Sequence, residues 1–186
     1  MPFTPYHFGP SGFIGLALRK YIDVPVFVLA NVIVDIEVLV LNLLQTGWPI
    51  HRYAHTLLLG AAAGVICAVA AYPLRHFFKK IMQIIRLPYQ ANLRKMVISG
   101  VLGVWLHVAI DAIYHWDVPL LWPGSARPLW HLVSQGQLKA ICIAFLVAAA
   151  VLYVIIVVPH SKQNRAKKSI RESNERQTRD APSTCR

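Results

Sequence analysis

The stretch VPVFVLANVIVDIEVLVLNLL, residues 24–44, is apolar along most of its length and contains no basic residue. A helix needs about 20 such residues to cross the hydrocarbon core of a bilayer, so this stretch predicts a membrane span. Residues 57–74, 96–114 and 138–158 form three further runs of the same kind. Residues 8–18 are equally apolar but too short to span, which predicts a half-helix. The fold predicted is therefore an all-α polytopic membrane bundle with about four transmembrane helices.

The composition agrees with this class and excludes two others. Of 186 residues, 56% are apolar and 15% charged, whereas soluble domains carry about a quarter charged residues. A water-soluble globule is therefore disfavoured. The three cysteines are too few for a secreted disulfide scaffold.

The basic residues predict the orientation of the chain. Sixteen of the 19 Lys and Arg precede the first span, lie between the second and third, or follow the fourth. By the positive-inside rule these regions are cytoplasmic, and the loops 45–56 and 115–137 face outward. The outer loops contain four of the five tryptophans, as an interfacial aromatic belt requires: Trp48, Trp116, Trp122 and Trp130.

Two cytoplasmic segments are expected to contact the membrane surface. Residues 75–86, RHFFKKIMQIIR, place aromatic and aliphatic side chains on one helical face and basic ones on the other. This pattern is typical either of an amphipathic helix on the inner leaflet or of an ordinary basic linker. Residues 159–186 are basic and nearly free of apolar side chains, so we expect a disordered cytoplasmic tail beside a membrane domain of residues 1–158. The tail is suited to anionic lipid or a cytoplasmic protein, and no motif supports nucleic acid.

Ionisable residues inside the spans indicate a functional site, because charges are costly in hydrocarbon. His107 and Asp111 are four residues apart, as are His51 and His55, which predicts in each pair two metal-binding side chains on one helical face. His115 lies one turn beyond Asp111 on the same predicted face. Asp35 on the first span is the remaining predicted ligand. By helix rise, these residues all fall in the outer half of the membrane, where a water-filled cup could hold a metal ion.

Glu37 and Asp117 are the candidate catalytic residues, either accepting a proton or orienting a ligand imidazole. Glu37 is about 200° around a regular helix from Asp35, so a distortion is needed for both to face one site. Imidazole and carboxylate ligands suit Zn²⁺, with Mn²⁺ or Fe²⁺ as alternatives. A bound metal would lower the pKa of water towards about 7 and supply hydroxide for hydrolysis.

Five short motifs in this order resemble the inner-membrane-associated, metal-dependent hydrolase family, which includes a LexA-binding branch. They are TPYHFGP with His7, Asp35-Ile-Glu37, His51-Arg-Tyr-Ala-His55-Thr56, His107-Val-Ala-Ile-Asp111 and residues 118–123. The family is distantly similar to zinc-dependent phospholipase C and P1-type nucleases. The resemblance implies a metal held by His7, Asp35, His51, His55, His107 and Asp111. Many relatives carry Asp-x-Asp-His where this chain has Glu37 and Val38, so one ligand of that pattern is missing here.

The function predicted is therefore metal-dependent hydrolysis of a phosphate ester at the outer face of a bacterial inner membrane, with a lipid-linked ester as one candidate substrate. The alternative is a non-catalytic membrane scaffold or adapter in which the polar cluster only holds helices together. A metal-ion carrier is a third reading, but the inner halves of the spans offer no matching polar pathway.

Overall fold

The computed structural model describes residues 4–47 and 49–179, which contain helices and no strand. Short 3-10 turns at Thr4–His7 and Tyr72–Leu74 accompany seven α-helices in this part of the chain. These are α1 (Phe8–Ala17), α2 (Val24–Ile33), α3 (Asp35–Leu43), α4 (Leu57–Ala71), α5 (Arg75–Ile84), α6 (Leu93–Tyr114) and α7 (Gln135–Arg179). The predicted all-α class is confirmed.

Within the described residues, four helical stretches are long and apolar enough to cross a membrane: Val24–Leu43, Leu57–Ile84, Leu93–Tyr114 and Gln135–Val158. They match the four predicted spans within a few residues at most ends. The second stretch extends further than predicted, because α5 follows α4 after a single 3-10 turn that contains Pro73. The predicted half-helix is also present as α1, which has 10 residues.

The chain divides into two compact units, Met1–Leu152 and Tyr153–Arg186. The second unit begins within α7, and that helix continues to Arg179. Residues 180–186, the end of the predicted tail, lie outside the described residues, as does Trp48. The division at residue 158 and the disorder of the tail stay predictions.

Small residues allow the helices of the first unit to pack closely around α6. A Cβ added to Gly64 on α4 would lie 2.6 Å from the carbonyl oxygen of Gly100 on α6. A Cβ on Gly103 would meet the carbonyl oxygen of Phe27 on α2. Because no side chain separates these backbones, α6 lies against α2 and α4 at once, which is how helices in membranes gain packing energy. The face of α6 that carries His107 and Asp111 is thereby enclosed.

Close packing at a glycine also holds the half-helix α1 in place. A Cβ on Gly9 would overlap the carbonyl oxygen of Cys142 on α7, and the rings of Phe13 and Phe145 have centroids 5.4 Å apart. His7 immediately precedes α1. The packing of α1 against α7 therefore fixes the position of His7.

The hydrogen-bond ladder of the first span is interrupted at one residue. α2 ends at Ile33 and α3 begins at Asp35, while Val34 between them keeps helical φ and ψ angles of −60° and −36°. α2 buries Val26, Phe27 and other residues in the bundle, whereas α3 has no buried residue. A helix break at membrane depth is tolerated where its polar groups face protein or a water-filled cavity. Here it places the carboxylate of Asp35 at the start of a helix.

Polar caps and loop contacts fix the outer end of α4. Thr56 caps this helix, since its hydroxyl accepts a hydrogen bond from the backbone N–H of Leu59 at 3.0 Å. The N–H of Leu57 donates to the carbonyl of Leu120 at 3.0 Å, which ties the loop after α6 to the start of α4. The segments before α4 and after α6 are thus brought together.

The basic segment after α4 forms the helix α5, as the amphipathic interpretation predicts. Phe78 and Met82 are buried against the bundle, while Phe77 and Ile84 are exposed. Its placement on the inner leaflet stays a prediction.

Candidate metal centre

His107 and Asp111 lie one turn apart on the enclosed face of α6. The His107 Nε2 atom is 3.1 Å from Asp111 Oδ2, and both side chains are buried. The helical pair predicted from their spacing is therefore present. It forms the middle of a larger polar cluster.

His7 reaches this pair from the start of α1. Its ring stacks on that of His107, with centroids 4.3 Å apart and an interplanar angle of 17°. Its Nε2 atom is 3.2 Å from Asp111 Oδ1, the oxygen that His107 does not approach. Both oxygens of Asp111 therefore face an imidazole nitrogen.

Asp35 approaches from the break in the first span. Its Oδ1 atom lies 3.3 Å from His107 Nε2, and its side chain is 28% exposed. The side chains of His55, His107 and Asp111 are at most 4% exposed. Within the cluster, Asp35 is thus the residue most open to its surroundings.

His51 and His55 lie in the loop that precedes α4, so the predicted helical geometry for this pair is wrong. The helix begins only at Leu57, after the Thr56 cap. The two rings still lie together, with centroids 4.7 Å apart. The Nε2 atoms of His51 and His55 are 3.9 Å and 3.7 Å from Asp111 Oδ2. The loop therefore brings the two imidazoles together, as their spacing had predicted for a helix.

Glu37 holds this loop in place. Its Oε1 atom accepts the N–H of Tyr53 at 2.8 Å, and its Oε2 atom accepts that of Ala54 at 3.0 Å. His55 Nδ1 is also 3.0 Å from Oε2. An ionised carboxylate only accepts hydrogen bonds, so His55 carries its proton on Nδ1 and leaves a lone pair on Nε2. Asp35 thus contacts the cluster directly, whereas Glu37 contacts it through His55, which lies between Glu37 and the other groups.

Asp117 makes a parallel set of bonds from the loop after α6. Its Oδ2 atom accepts the backbone N–H groups of Ile50 and His51, each at 3.2 Å. The Nδ1 atom of His51 lies 2.9 Å from the same oxygen. Asp117 Oδ1 is buried and has no hydrogen-bond partner among the described residues.

His115, which the sequence places one turn beyond Asp111 but which is not among the predicted ligands, joins this second group. It follows the last residue of α6 and has an extended backbone, so it is not on the helical face that its spacing suggested. Its ring centroid is 4.3 Å from that of His51. The signal in the sequence is its four-residue spacing from Asp111.

Burial and hydrogen bonding set the charge state of the groups outside the spans. Burial lowers the pKa of His55, although Glu37 opposes this. Burial likewise lowers the pKa of His115 to about 4. Burial would raise the pKa of Asp117, but the side-chain hydrogen bond and charge of His51 and the backbone N–H groups together outweigh it, so that pKa lies below its usual value. At neutral pH the loops therefore offer neutral imidazoles beside an ionised carboxylate, which are the forms that bind metal.

The innermost nitrogens have no hydrogen bond that would explain their burial. His7 Nε2, His55 Nε2 and His107 Nε2 are buried without a hydrogen-bond partner of good geometry in the described part of the chain. Two ligands each about 2.1 Å from a tetrahedral ion lie about 3.4 Å apart, close to the separations from Asp111. Donor atoms of Asp35, His55, His107 and Asp111 all lie within 4.8 Å of one another. This donor set fits a divalent metal ion.

A cavity of about 200 Å³ lies beside the loop that carries His51 and His55. Its lining includes Arg52 and Trp122 together with residues that flank His55, namely Tyr53 and Thr56. Arg52 Nε donates to the carbonyl of Pro49 at 2.7 Å, which holds the guanidinium near the cavity. A cationic group and an aromatic ring therefore lie near the cluster.

One comparison with known proteins identifies a relative. A family model described as "YdjM inner membrane protein" matches residues 11–170, which include every residue of the cluster except His7. No curated protein and no solved structure matches the chain.

Proposed function

Because the chain belongs to the YdjM inner membrane protein family, and is thus an inner-membrane protein, we propose that it is a metal-dependent hydrolase of that membrane. The observation that carries this proposal is the convergence of buried imidazole nitrogens on Asp111, two of them within 3.2 Å of its oxygens. The hydrolase activity and the likeness to zinc-dependent phospholipase C and P1-type nucleases belong to the proposal and not to the family match.

The ion would be held by Asp35, His55, His107 and Asp111, with His7 against the second oxygen of Asp111. Two imidazoles and two carboxylates suit Zn²⁺, with Mn²⁺ or Fe²⁺ as alternatives. When bound, such an ion acts as a Lewis acid and lowers the pKa of a coordinated water. His51 was predicted as a ligand, but its Nε2 atom lies furthest from Asp111, at 3.9 Å.

The residues around the ion position its ligands. Glu37 was predicted as catalytic, but its two oxygens already accept three hydrogen bonds, from Tyr53, Ala54 and His55. We therefore assign it as a positioning residue that fixes the tautomer and orientation of His55, as carboxylates commonly do behind metal-bound histidines. Asp35 is the most exposed ligand, so substrate would approach the ion from its side.

A phosphate ester is the substrate class that fits the surroundings. The half-buried Arg52 lines a cavity next to the loop that carries His55, and a guanidinium pairs with phosphate oxygens through two parallel hydrogen bonds. Trp122 in the same cavity is an interfacial side chain suited to a lipid head group. A lipid-linked phosphate at the outer face is therefore the proposed substrate.

The expected membrane topology also favours a site at the outer face. The basic residues place the loops 45–56 and 115–137 outside, and these loops carry His51, His55 and Asp117. The C-terminal tail would then be cytoplasmic, where its positive charge attracts anionic lipid or a protein partner.

A metal analysis of the full-length chain in detergent tests the proposal. We expect the purified protein to contain at least one transition-metal ion per chain. The double variant His55→Ala/His107→Ala should lose that ion, while the control His131→Ala in the outer loop keeps it. Wild-type protein without stoichiometric metal, or a double variant that retains it, would refute the metal centre.

The competing reading, a non-catalytic scaffold, has one observation in its favour. The pairs His51–Asp117 and His55–Glu37 satisfy each other by hydrogen bonds, as a purely structural cluster would. In that case Asp35→Ala, which removes a partly exposed carboxylate, would alter no hydrolytic activity. Release of phosphate from a lipid phosphate in vesicles, compared between wild type and Asp35→Ala, separates the two readings.

A further inference from the structure

A second group of metal-binding side chains lies beside the proposed centre and is not used by it. His51, His115 and Asp117 each place one donor atom within 4.8 Å of those of the other two. His51 and Asp117 are buried and His115 is half-buried. The group is formed by two loops, residues 45–56 and the segment after α6.

The donor types suit a transition metal. Two imidazoles and one carboxylate are the protein ligands of many catalytic zinc sites, which leave a further position open. His51 Nδ1 is 2.9 Å from Asp117 Oδ2, so the two side chains lie in direct contact. The ring centroids of His115 and His51 are 4.3 Å apart, and each ring offers a nitrogen within 4.8 Å of the other two donor atoms.

An unsatisfied atom points to the same conclusion independently. Asp117 Oδ1 is buried without a hydrogen-bond partner among the described residues. Its neighbour Oδ2 already accepts the N–H groups of Ile50 and His51, so these donors do not serve Oδ1. A buried carboxylate oxygen with no donor is costly, and a cation would satisfy it.

The two groups adjoin at Asp111. His51 Nε2 lies 3.9 Å from Asp111 Oδ2, and Asp111 belongs to the first group. Two cations, one in each group, would therefore lie on opposite sides of the contact between His51 and Asp111. Paired metal ions that clamp the attacking and leaving oxygens are a common arrangement in phosphate-ester hydrolysis.

We propose that His51, His115 and Asp117 hold a second divalent metal ion, making the centre binuclear. This inference rests on the proposed function, since it assigns the second ion to the same hydrolytic site. It also gives Asp117 a direct role as ligand. The rival arrangement is that Asp117 only orients His51, whose Nε2 atom then faces a single ion.

Metal stoichiometry separates these arrangements. The full-length protein is stripped with a chelator in detergent, titrated with Zn²⁺ alone, freed of excess, and its bound metal counted per chain. We expect two ions for wild type and for the control His131→Ala, and one for His115→Ala. The milder variant His115→Gln should also bind one ion, which guards against loss of fold in the alanine variant.

The outcomes distinguish failure of this inference from failure of the proposed function. One ion in wild type, unchanged in His115→Ala and His115→Gln, overturns the second site and leaves the first intact. Two ions retained in both His115 variants also overturn it. No bound metal in wild type overturns both proposals. Loss of one ion in the His115 variants, with the other lost only in His55→Ala/His107→Ala, supports both.

Discussion

Asp111 places each of its two carboxylate oxygens against a different histidine, with Oδ1 3.2 Å from His7 Nε2 and Oδ2 3.1 Å from His107 Nε2. His107 lies on the same helix, whereas His7 lies in the 3-10 turn just before the half-helix α1, near the start of the sequence. The carboxylate therefore joins a local contact to a long-range one. The position of α1 is accordingly coupled to the geometry of the proposed metal centre.

Removing the carboxylate of Glu37 should weaken metal binding without removing a ligand. In Glu37→Ala the Nδ1 atom of His55 loses its acceptor, so the ring is free to turn and to change tautomer. We expect zinc affinity to fall by about 10- to 100-fold, as for other carboxylates behind metal-bound histidines. Competition with a chromophoric chelator measures this.

The matched variant Glu37→Gln keeps one oxygen that can accept from His55 Nδ1. It should recover part of the lost affinity while carrying no charge. Equal affinity of the alanine variant and wild type would contradict the positioning role of Glu37.

Enlarging Gly100 should disrupt the bundle. A side chain there would meet the carbonyl of Gly64 and the Cβ of Ala68, the latter at 3.2 Å. Because the obstacle is backbone, α4 and α6 must separate, and overpacking of this kind costs about 1–3 kcal/mol or more. We expect Gly100→Leu to unfold at a markedly lower temperature in detergent, or to be poorly recovered.

Gly136 is the matched control, since a Cβ there meets nothing within 4 Å. Gly136→Leu should keep the melting temperature of wild type. Equal loss of stability in the two variants would mean that close contact between α4 and α6 is not what Gly100 provides.

Asp23 predicts a pH-dependent stability. It caps α2, accepting the N–H of Val26 at 3.2 Å, and is 1% exposed. Burial raises its pKa, although Val26, Tyr89 and Lys95 oppose this. The pKa of Asp23 is therefore higher in the folded protein than in the unfolded chain. Since the folded state then binds the proton more tightly, the free energy of unfolding falls as the pH rises from the unfolded pKa through the folded one.

Asp23→Asn retains the cap and cannot ionise. Its melting temperature relative to wild type should therefore be higher at pH 8 than at pH 4. Asp23→Ala, which loses the cap as well, should be less stable than Asp23→Asn by about 1 kcal/mol at both pH values. A difference between Asp23→Asn and wild type that does not change with pH would contradict the raised pKa.

Reporter fusions test the orientation. With sixteen basic residues assigned to one side, a green-fluorescent fusion at Arg186 should fluoresce in a bacterial cell. An alkaline-phosphatase fusion near Ser125 should be active, because that loop is expected to face outward. The reverse pattern would place the metal centre at the cytoplasmic face.

The structure confirms the class of fold and the four spans because both follow from local properties of the chain. Hydrocarbon thickness dictates the length of an apolar helix, so runs such as residues 24–44 predict spans without knowledge of their neighbours. The contact between His107 and Asp111 was predictable for the same reason, since a regular helix brings residues four apart onto one face.

The rest of the site depends on contacts between distant segments. His51 and His55 lie in a loop and not on a helix, and their rings are oriented by Asp117 and Glu37 from other elements. Spacing carries no information about such a loop, because no repeating backbone geometry relates its residues. Likewise, the packing of Gly9 against α7 helps to position His7, and the turn after α6 brings His115 to His51. The sequence by itself determined that polar groups would lie among membrane helices, and tertiary packing decided which of them meet.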